Sequence, residues 1–317
     1  MAALCNDTRP RVIAIGGPTA TGKTALSVEL ALQFEGEIIS ADSMQIYQGL
    51  DIGTAKVTPE ETKGVPHHLV DFLAPDKTFS VADFVTMAGS AIQNITGRGR
   101  LPFVVGGTGL YISSLLNGLN FTPEKPDTSV RDTLNKCLEK EGSQALYEEL
   151  VRADPEYAAT VHPNNTVRVV RALELFYATG RRMSEERAAA RPEQPPYRSL
   201  CLCLTCRDRS LLYRRIDSRC DEMLRRGILE EAELVYRNKD VYCTAAQAIG
   251  YKEFFPYFEG TKELNDCLNS LKQASRNYAK RQLTWFRRQT NAVWLYLEDG
   301  DAQQRAAQEI TNFLLQE

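Results

Sequence analysis

Apolar and polar positions follow two regimes along this chain. Near the N-terminus, short apolar runs each give way to a turn and then to a helical period. "RVIAI" (11–15) predicts a strand, and a helix is expected from about Lys23 to Phe34. "EIISAD" (37–42) predicts a second strand that ends on an acid. "LPFVVGGTGLYISSLL" (101–116) reads as a third strand, a glycine turn and another helix. Strand, turn and helix in series predict an α/β fold: a P-loop NTPase-like parallel sheet flanked by helices, with active-site residues at the strands' C-terminal ends.

The pattern changes from about Thr122 to Pro196, where helical periods run without a clear strand between "TPEKPD" and "RPEQPPY", both read as hinges or linkers. "SLCLCLTC" (199–206) then resumes the sheet pattern. The expected organisation is a core of residues 1–121 and 197–317, interrupted by a mostly helical insertion at 122–196. Helices are expected to dominate the remainder, to near Leu315. In "SLCLCLTC", alternation puts Cys201 and Cys203 on one strand face and Leu202 and Leu204 on the other. A core strand is favoured over a metal site that includes Cys206, because the spacing does not match paired C-x₂-C ligands.

Composition adds bounds. The 317 residues are 43% hydrophobic and 25% charged, ordinary for a globular protein able to bury a core without staples. There are eight cysteines, no stretch of about 20 apolar residues, and no secretory or transit pattern in "MAALCNDTRP". The expectation is a cytoplasmic protein with reduced thiols and no membrane association. Nothing in the pattern argues against a monomer. The net charge of −3 does not advertise nucleic-acid binding, but the charge is uneven. Residues 271–297 hold Lys272, Arg276, Lys280, Arg281, Arg287 and Arg288 with no acid, and Tyr278, Trp285 and Phe286 are interleaved. Residues 206–226 hold seven arginines against four acids, and 164–191 six against three. Any one run could be a solvated helix face. Three together, one with aromatics, favour an RNA-backbone surface.

The most specific motif is G-x-x-x-x-G-K-T, comprising Gly17, Pro18, Thr19, Ala20, Thr21, Gly22, Lys23 and Thr24. Its glycines let backbone N–H groups face an anion. Lys23 adds a charge, Thr24 a hydroxyl for a phosphate or Mg²⁺, and the following helix its N-terminal dipole. Asp42 ends the second strand, where it could hold Mg²⁺ through water or act as a general base; the residue alone suits either task.

Seven stretches in order resemble the tRNA dimethylallyltransferase (isopentenyltransferase) family: "GPTATGKT", "DSMQIYQGLDIGTAK", "HHLVDF", "VGGTGLYI", "HPNNTVRVVRALE", "QAIGYKEF" and "YAKRQLTWFR". The likeness spans residues 11–297. It implies that the loop holds the diphosphate of dimethylallyl diphosphate rather than ATP. The dimethylallyl group would pass to N6 of the adenosine 3′-adjacent to the anticodon, position 37, of tRNAs reading codons that begin with U. Diphosphate would be released, and Mg²⁺ would be the cofactor.

The resemblance also implies roles. Asp42 would be the base. Lys23, Thr24, Thr108 and Arg219 would hold the leaving diphosphate, with Thr24 near Mg²⁺, as charge develops on it. Without the resemblance, Thr108 also reads as a helix N-cap and Arg219 as one surface arginine. The adenine would be flipped out of the anticodon stem-loop. Contacts to the RNA would come from Asp42, Ser43, Met44, Gln45, Thr108 and Arg131. Further contacts would come from Asn164, Asn165, Thr166, Val167, Arg168, Gln247, Ala248, Ile249, Gly250, Tyr251 and Lys252. Lys280, Arg281, Gln282, Thr284, Trp285 and Arg287 complete the implied set, and the insertion would clasp the stem-loop. His67, His68 and His162 read as satisfied polar or turn residues.

Two departures stand out. Lys252 replaces an arginine common in the family, which puts bidentate contact there in doubt. No Cys₂His₂ finger follows the core, as in the compact bacterial type. The alternatives are a P-loop kinase with Arg181 and Arg182 on a lid, an adenylate isopentenyltransferase acting on free nucleotide, and a non-catalytic RNA-binding protein. The ordered motifs, the insertion and the retained Asp42, Lys23, Thr24, Thr108 and Arg219 disfavour all three.

Overall fold

Five of the six residues of β1 (Arg11–Gly16) are buried, because this strand lies inside a parallel sheet covered on both faces. The computed structural model describes residues 7–121, 128–288 and 291–316. The proline-rich stretch 122–127 lies outside the described residues. After β1 the chain forms α1 (Lys23–Gln33), β2 (Gly36–Ser40), α2 (Pro59–Thr62), β3 (His67–His68), α3 (Val81–Gly97), β4 (Leu101–Val105) and α4 (Gly109–Leu116). Four helices follow: α5 (Thr128–Ala153), α6 (Pro155–Ala158), α7 (Thr166–Thr179) and α8 (Met183–Ala189). The rest is β5 (Arg198–Thr205), α9 (Arg209–Arg225), α10 (Ile228–Arg237), α11 (Phe255–Phe258), α12 (Leu264–Phe286), β6 (Ala292–Tyr296) and α13 (Ala302–Leu315).

The chain divides into two compact units, residues 1–116 with 195–317, and residues 117–194. The first holds a six-stranded sheet in the order β3-β2-β4-β1-β5-β6, all parallel. Leu26, Val28 and Leu30 of α1 join Ile310 and Phe313 of α13 against Ile13, Ile15, Leu202 and Leu204 on one face. Phe84 and Ile92 of α3, Ile112 of α4 and Phe286 of α12 cover Val12, Ala14, Val104 and Cys203 on the other. A third apolar cluster joins α9, α10 and α12 to Ile46, Tyr47, Tyr251 and Phe254. The second unit packs its helices around Leu146, Leu150, Val169 and Leu173.

"SLCLCLTC" forms β5 within one residue at each end, with its cysteines and leucines on opposite sheet faces. Two strands were not anticipated. β3 is only His67–His68, polar and paired to Ile38 and Ile39, too short for an apolar period to register. β6 lies where continued helix was expected, pairing Cys201–Thr205 with Ala292–Tyr296. A five-residue apolar run cannot be told from a helix by periodicity, and here the exposed edge of β5 decides it.

Candidate active site

The loop between β1 and α1 is shaped by its own carbonyls. Pro18 O accepts from Lys23 Nζ at 2.7 Å and from Thr21 Oγ1 at 2.9 Å. Pro18 has no N–H and the Thr21 hydroxyl is turned inward, so these two of the eight loop residues build the curve rather than face a ligand with their side chains. Gly17 has φ +131°, and a Cβ there would lie 2.2 Å from the Leu204 carbonyl oxygen, so only glycine fits. Arg215 Nε donates to Ala20 O at 2.7 Å and braces the loop from α9.

Asp42 follows β2 and closes a local turn: its Oδ1 accepts from Met44 N at 2.9 Å. Ser43 N donates to Thr108 Oγ1 at 3.2 Å, so Thr108 links the end of β2 to the Gly106–Gly107 turn after β4. Gln45 is held by Thr54 O and Ala55 O at 3.3 and 3.1 Å, and its Oε1 accepts from Ser40 Oγ at 3.1 Å.

Two helices supply the opposite wall. Arg219 on α9 faces Lys23 and Asp42. Burial pushes the Lys23 ammonium down to about 8, the nearby Arg219 charge adds to this, and Asp42 opposes it. Burial likewise lowers Arg219, again opposed by Asp42. Two cations packed beside one carboxylate make a strongly anion-seeking site. On α12, burial pushes the Tyr278 phenol up to about 12, with Asp42 adding to the rise and Thr108 and Gln282 within hydrogen-bonding reach. Met223, Ile216 and Leu271 contribute an apolar patch to the same space.

These elements enclose a cavity of about 350 Å³. Thr19, Lys23, Thr24, Asp42, Ser43, Met44, Gln45, Arg219, Gln247, Ala248, Ile249, Gly250, Lys252, Arg281 and Gln282 of the expected set all line it. A second recess of about 610 Å³ shares Lys23, Thr24 and Arg219 and adds Arg214, Arg215 and Arg226.

Not every expected residue is an open contact. Tyr251 is fully buried behind the cavity wall, donating to Glu231 Oε1 at 2.5 Å, and presents no surface to RNA. Gln282 lines the cavity but is 5% exposed, with both ends of its amide engaged by Thr19 N and Gly107 O. The buried indole Nε1 of Trp285 belongs to a ring packed on Gly109, where a Cβ would lie 2.1 Å from the ring. Lys280, Arg281, Thr284 and Arg287 are exposed. Of the acid-free run, Lys272 and Arg276 are spent on Asp221 and Asp217 of α9, at 2.6 and 2.5 Å. In the second unit, Arg131, Asn164, Asn165, Val167 and Arg168 are exposed and Thr166 half-buried. His67 Nδ1 meets Val65 O at 2.8 Å, His68 pairs with Glu37, and His162 Nδ1 accepts from Asn164 N at 3.1 Å.

Sequence reasoning missed Glu231, whose carboxylate accepts from Asp51 N, Ile52 N and Gly53 N at 2.8–2.9 Å as well as from Tyr251. It holds the Asp51–Gly53 turn beside the Gln247–Gly250 wall. It also missed the roles of Tyr278 and the apolar patch. An isolated acid or aromatic on a helix carries no signal of what it meets.

A parallel sheet with an anion-binding loop after its first strand, and a carboxylate lining the same half-polar cavity, defines an α/β enzyme of P-loop-like fold. An IPP transferase family model matches residues 45–289, and an isopentenyl transferase model matches residues 10–71. The chain is 48% identical over 289 residues to the tRNA dimethylallyltransferase of Bacillus subtilis, covering 91% of each. A solved tRNA isopentenylpyrophosphate transferase from Bacillus halodurans is 43% identical and superposes with TM-score 0.72, covering 96% of this chain and 97% of that one. A eukaryotic dimethylallyltransferase described as acting on tRNA superposes with TM-score 0.82 at 33% identity, covering 96% of this chain and 79% of that one. The chain belongs to the tRNA dimethylallyltransferase family.

Proposed function

We propose that this protein transfers the dimethylallyl group of dimethylallyl diphosphate to N6 of the adenosine 3′-adjacent to the anticodon. This is position 37 of tRNAs that read codons beginning with U. The observation that carries the reading is the cavity itself, lined by Lys23, Thr24, Arg219, Asp42 and the apolar Ile216, Met223 and Leu271. A diphosphate suits the cations and a branched five-carbon group suits the apolar patch.

In the reaction the N6–C1 bond forms, the C1–O bond to diphosphate breaks, and N6 loses a proton. Asp42 accepts that proton; an exocyclic adenine amine is too weak a nucleophile to do without a base. Lys23 and Arg219 gain most from the charge that builds on the departing diphosphate, and so stabilise the transition state more than the ground state. The arginines of the adjoining recess extend the same positive field. Mg²⁺ fits the Thr24 hydroxyl, with the diphosphate supplying its remaining ligands, and leaves the Asp42 carboxylate free to take the proton. When bound it would neutralise charge on the leaving group. The exposed Arg131, Asn164, Asn165, Val167, Arg168, Lys280, Arg281 and Arg287 serve the anticodon stem-loop.

The test is label transfer from dimethylallyl diphosphate with Mg²⁺ to three acceptors: an anticodon stem-loop with adenosine after the anticodon, the same loop with that base changed, and free AMP. Label on the first alone supports the reading. Label on AMP moves the protein to adenylate prenylation, and ATP hydrolysis without transfer overturns the diphosphate assignment.

A further inference from the structure

Between β2 and α2 the chain runs as a string of turns and reaches the cavity twice. The first pass carries Asp42, Ser43, Met44 and Gln45; the second carries Gly53, Thr54 and Ala55. The Gln45 amide joins the two, donating to Thr54 O and Ala55 O. Backbone in turns has few ladder hydrogen bonds, so side chains must hold it in one shape.

Lys56 does this from within. Its side chain is 7% exposed, and Nζ donates to Tyr47 O at 2.8 Å, to Asp71 Oδ1 at 2.6 Å and to Asp51 Oδ1. An ammonium has three donors, and each meets an acceptor from a different turn. Asp71 in its turn donates its N–H to Gln45 O at 3.0 Å, which passes the hold back to the first pass. Ala55, next to Lys56, has φ +48°, and Asp71 has φ +56°. Such backbone is strained in a residue with a Cβ and persists only where its surroundings over-determine it. The Lys56 contacts flank both positions.

Asp51 and Asp71 are 60% and 53% exposed, whereas the ammonium between them is sealed. Removing the ammonium therefore leaves two hydrated carboxylates and a loop without its central tie. Sealed behind the Ala55 wall, Lys56 acts on the substrates only through the turns it holds.

We propose that Lys56 is a positioning residue for transfer. It sets the Gly53–Ala55 wall and the Asp42–Gln45 pass at the spacing that presents the acceptor nitrogen to the allylic carbon. This rests on the reading that the protein prenylates an adenine of tRNA. A misplacement of about 1 Å at such a wall is enough to lower a rate about 100-fold.

The experiment compares wild type with Lys56→Met, Lys56→Arg and Asp51→Ala. Single-turnover transfer from dimethylallyl diphosphate to an anticodon stem-loop is measured at saturation with Mg²⁺. Anisotropy gives the Kd of the stem-loop, and calorimetry that of inorganic diphosphate. Lys56→Met keeps most of the buried stem and removes the charge. Its saturated rate is expected to fall about 10- to 100-fold, with both Kd values within about twofold of wild type. Lys56→Arg keeps the charge but cannot aim three donors at one point, and should restore part of the rate. Asp51→Ala cuts one tie at an exposed side chain, while the N–H of residue 51 stays on Glu231. Its rate should fall about three- to tenfold, and it decides the matter if Lys56→Met does not fold. A saturated rate equal to wild type in a folded variant overturns the proposal, whatever the melting temperature. So does a weakened stem-loop Kd with the saturated rate intact. Wild-type protein that transfers nothing to the stem-loop overturns the tRNA reading and this role with it.

Discussion

Gln282 accepts the backbone N–H of Thr19 at 2.9 Å across 263 positions of sequence. Its Nε2 donates to Gly107 O at 3.0 Å, so one amide on α12 ties the phosphate loop to the turn after β4. Gln282→Ala would leave both backbone groups to whatever water reaches them. The expected cost is about 1–3 kcal/mol of stability. The KM for dimethylallyl diphosphate should rise, since the loop loses its brace. Thermal unfolding and steady-state kinetics check this, and unchanged values for both would mean that the bridge does not shape the loop.

Lys23 sits in a place hostile to its own charge. Its pKa falls from the ordinary 10.5 to about 8, first through burial and then through Arg219. Below pH 8 the lysine is protonated both folded and unfolded, and the folded protein bears the full burial cost. Between about 8 and 10.5 only the unfolded chain keeps the proton, so the cost is relieved and stability rises with pH. Lys23→Met should therefore be more stable than wild type at pH 7, by about 1–3 kcal/mol, with the gap narrowing towards pH 10. Denaturant titrations at several pH values measure that gap. Diphosphate should draw a proton onto Lys23 near pH 8.5, seen by calorimetry in buffers of different ionisation heat.

Asp42→Asn separates the proposed base from its scaffold. The asparagine Oδ1 can still accept from Met44 N, so the turn should persist. Transfer should drop by about 10²- to 10⁴-fold, the usual worth of a general base, while stem-loop affinity stays within about twofold. A rapid-quench assay at saturating substrates reads the first and anisotropy the second. A near-normal rate would remove Asp42 from the proton transfer.

Tyr251→Phe tests the correction at that position. The phenol donates to Glu231, which also holds Asp51 N, Ile52 N and Gly53 N. Removing the hydroxyl should lower stability by about 1–2 kcal/mol and leave RNA affinity nearly unchanged. A large rise in Kd with no change in melting temperature would instead make Tyr251 an RNA contact.

Much of this protein is legible without coordinates. The apolar runs at 11–15, 37–42, 101–105 and 199–206 predict four strands, and the phosphate loop lies between the first strand and a helix, as expected. These signals are local: period, turn chemistry and a dense motif. β6 escaped because five apolar residues after a long helix carry no period of their own, and only the free edge of β5 makes them a strand.

The same limit governs the site. That Asp42 and Lys23 belong to one centre follows from their motifs. Which way a side chain turns within a motif does not. Tyr251 and Lys252 are neighbours in "QAIGYK", yet one is sealed against Glu231 and the other lines the cavity. Gln282 and Arg281 divide in the same way, one bridging two backbone turns and the other reaching solvent. The sequence by itself determined four of the six strands, the phosphate loop and the family, because those rest on residues close together in the chain. The tertiary structure alone decided which residues became braces and which line the cavity or reach solvent. That choice depends on partners such as Glu231, which reaches the Asp51–Gly53 turn and Tyr251 only when distant segments pack.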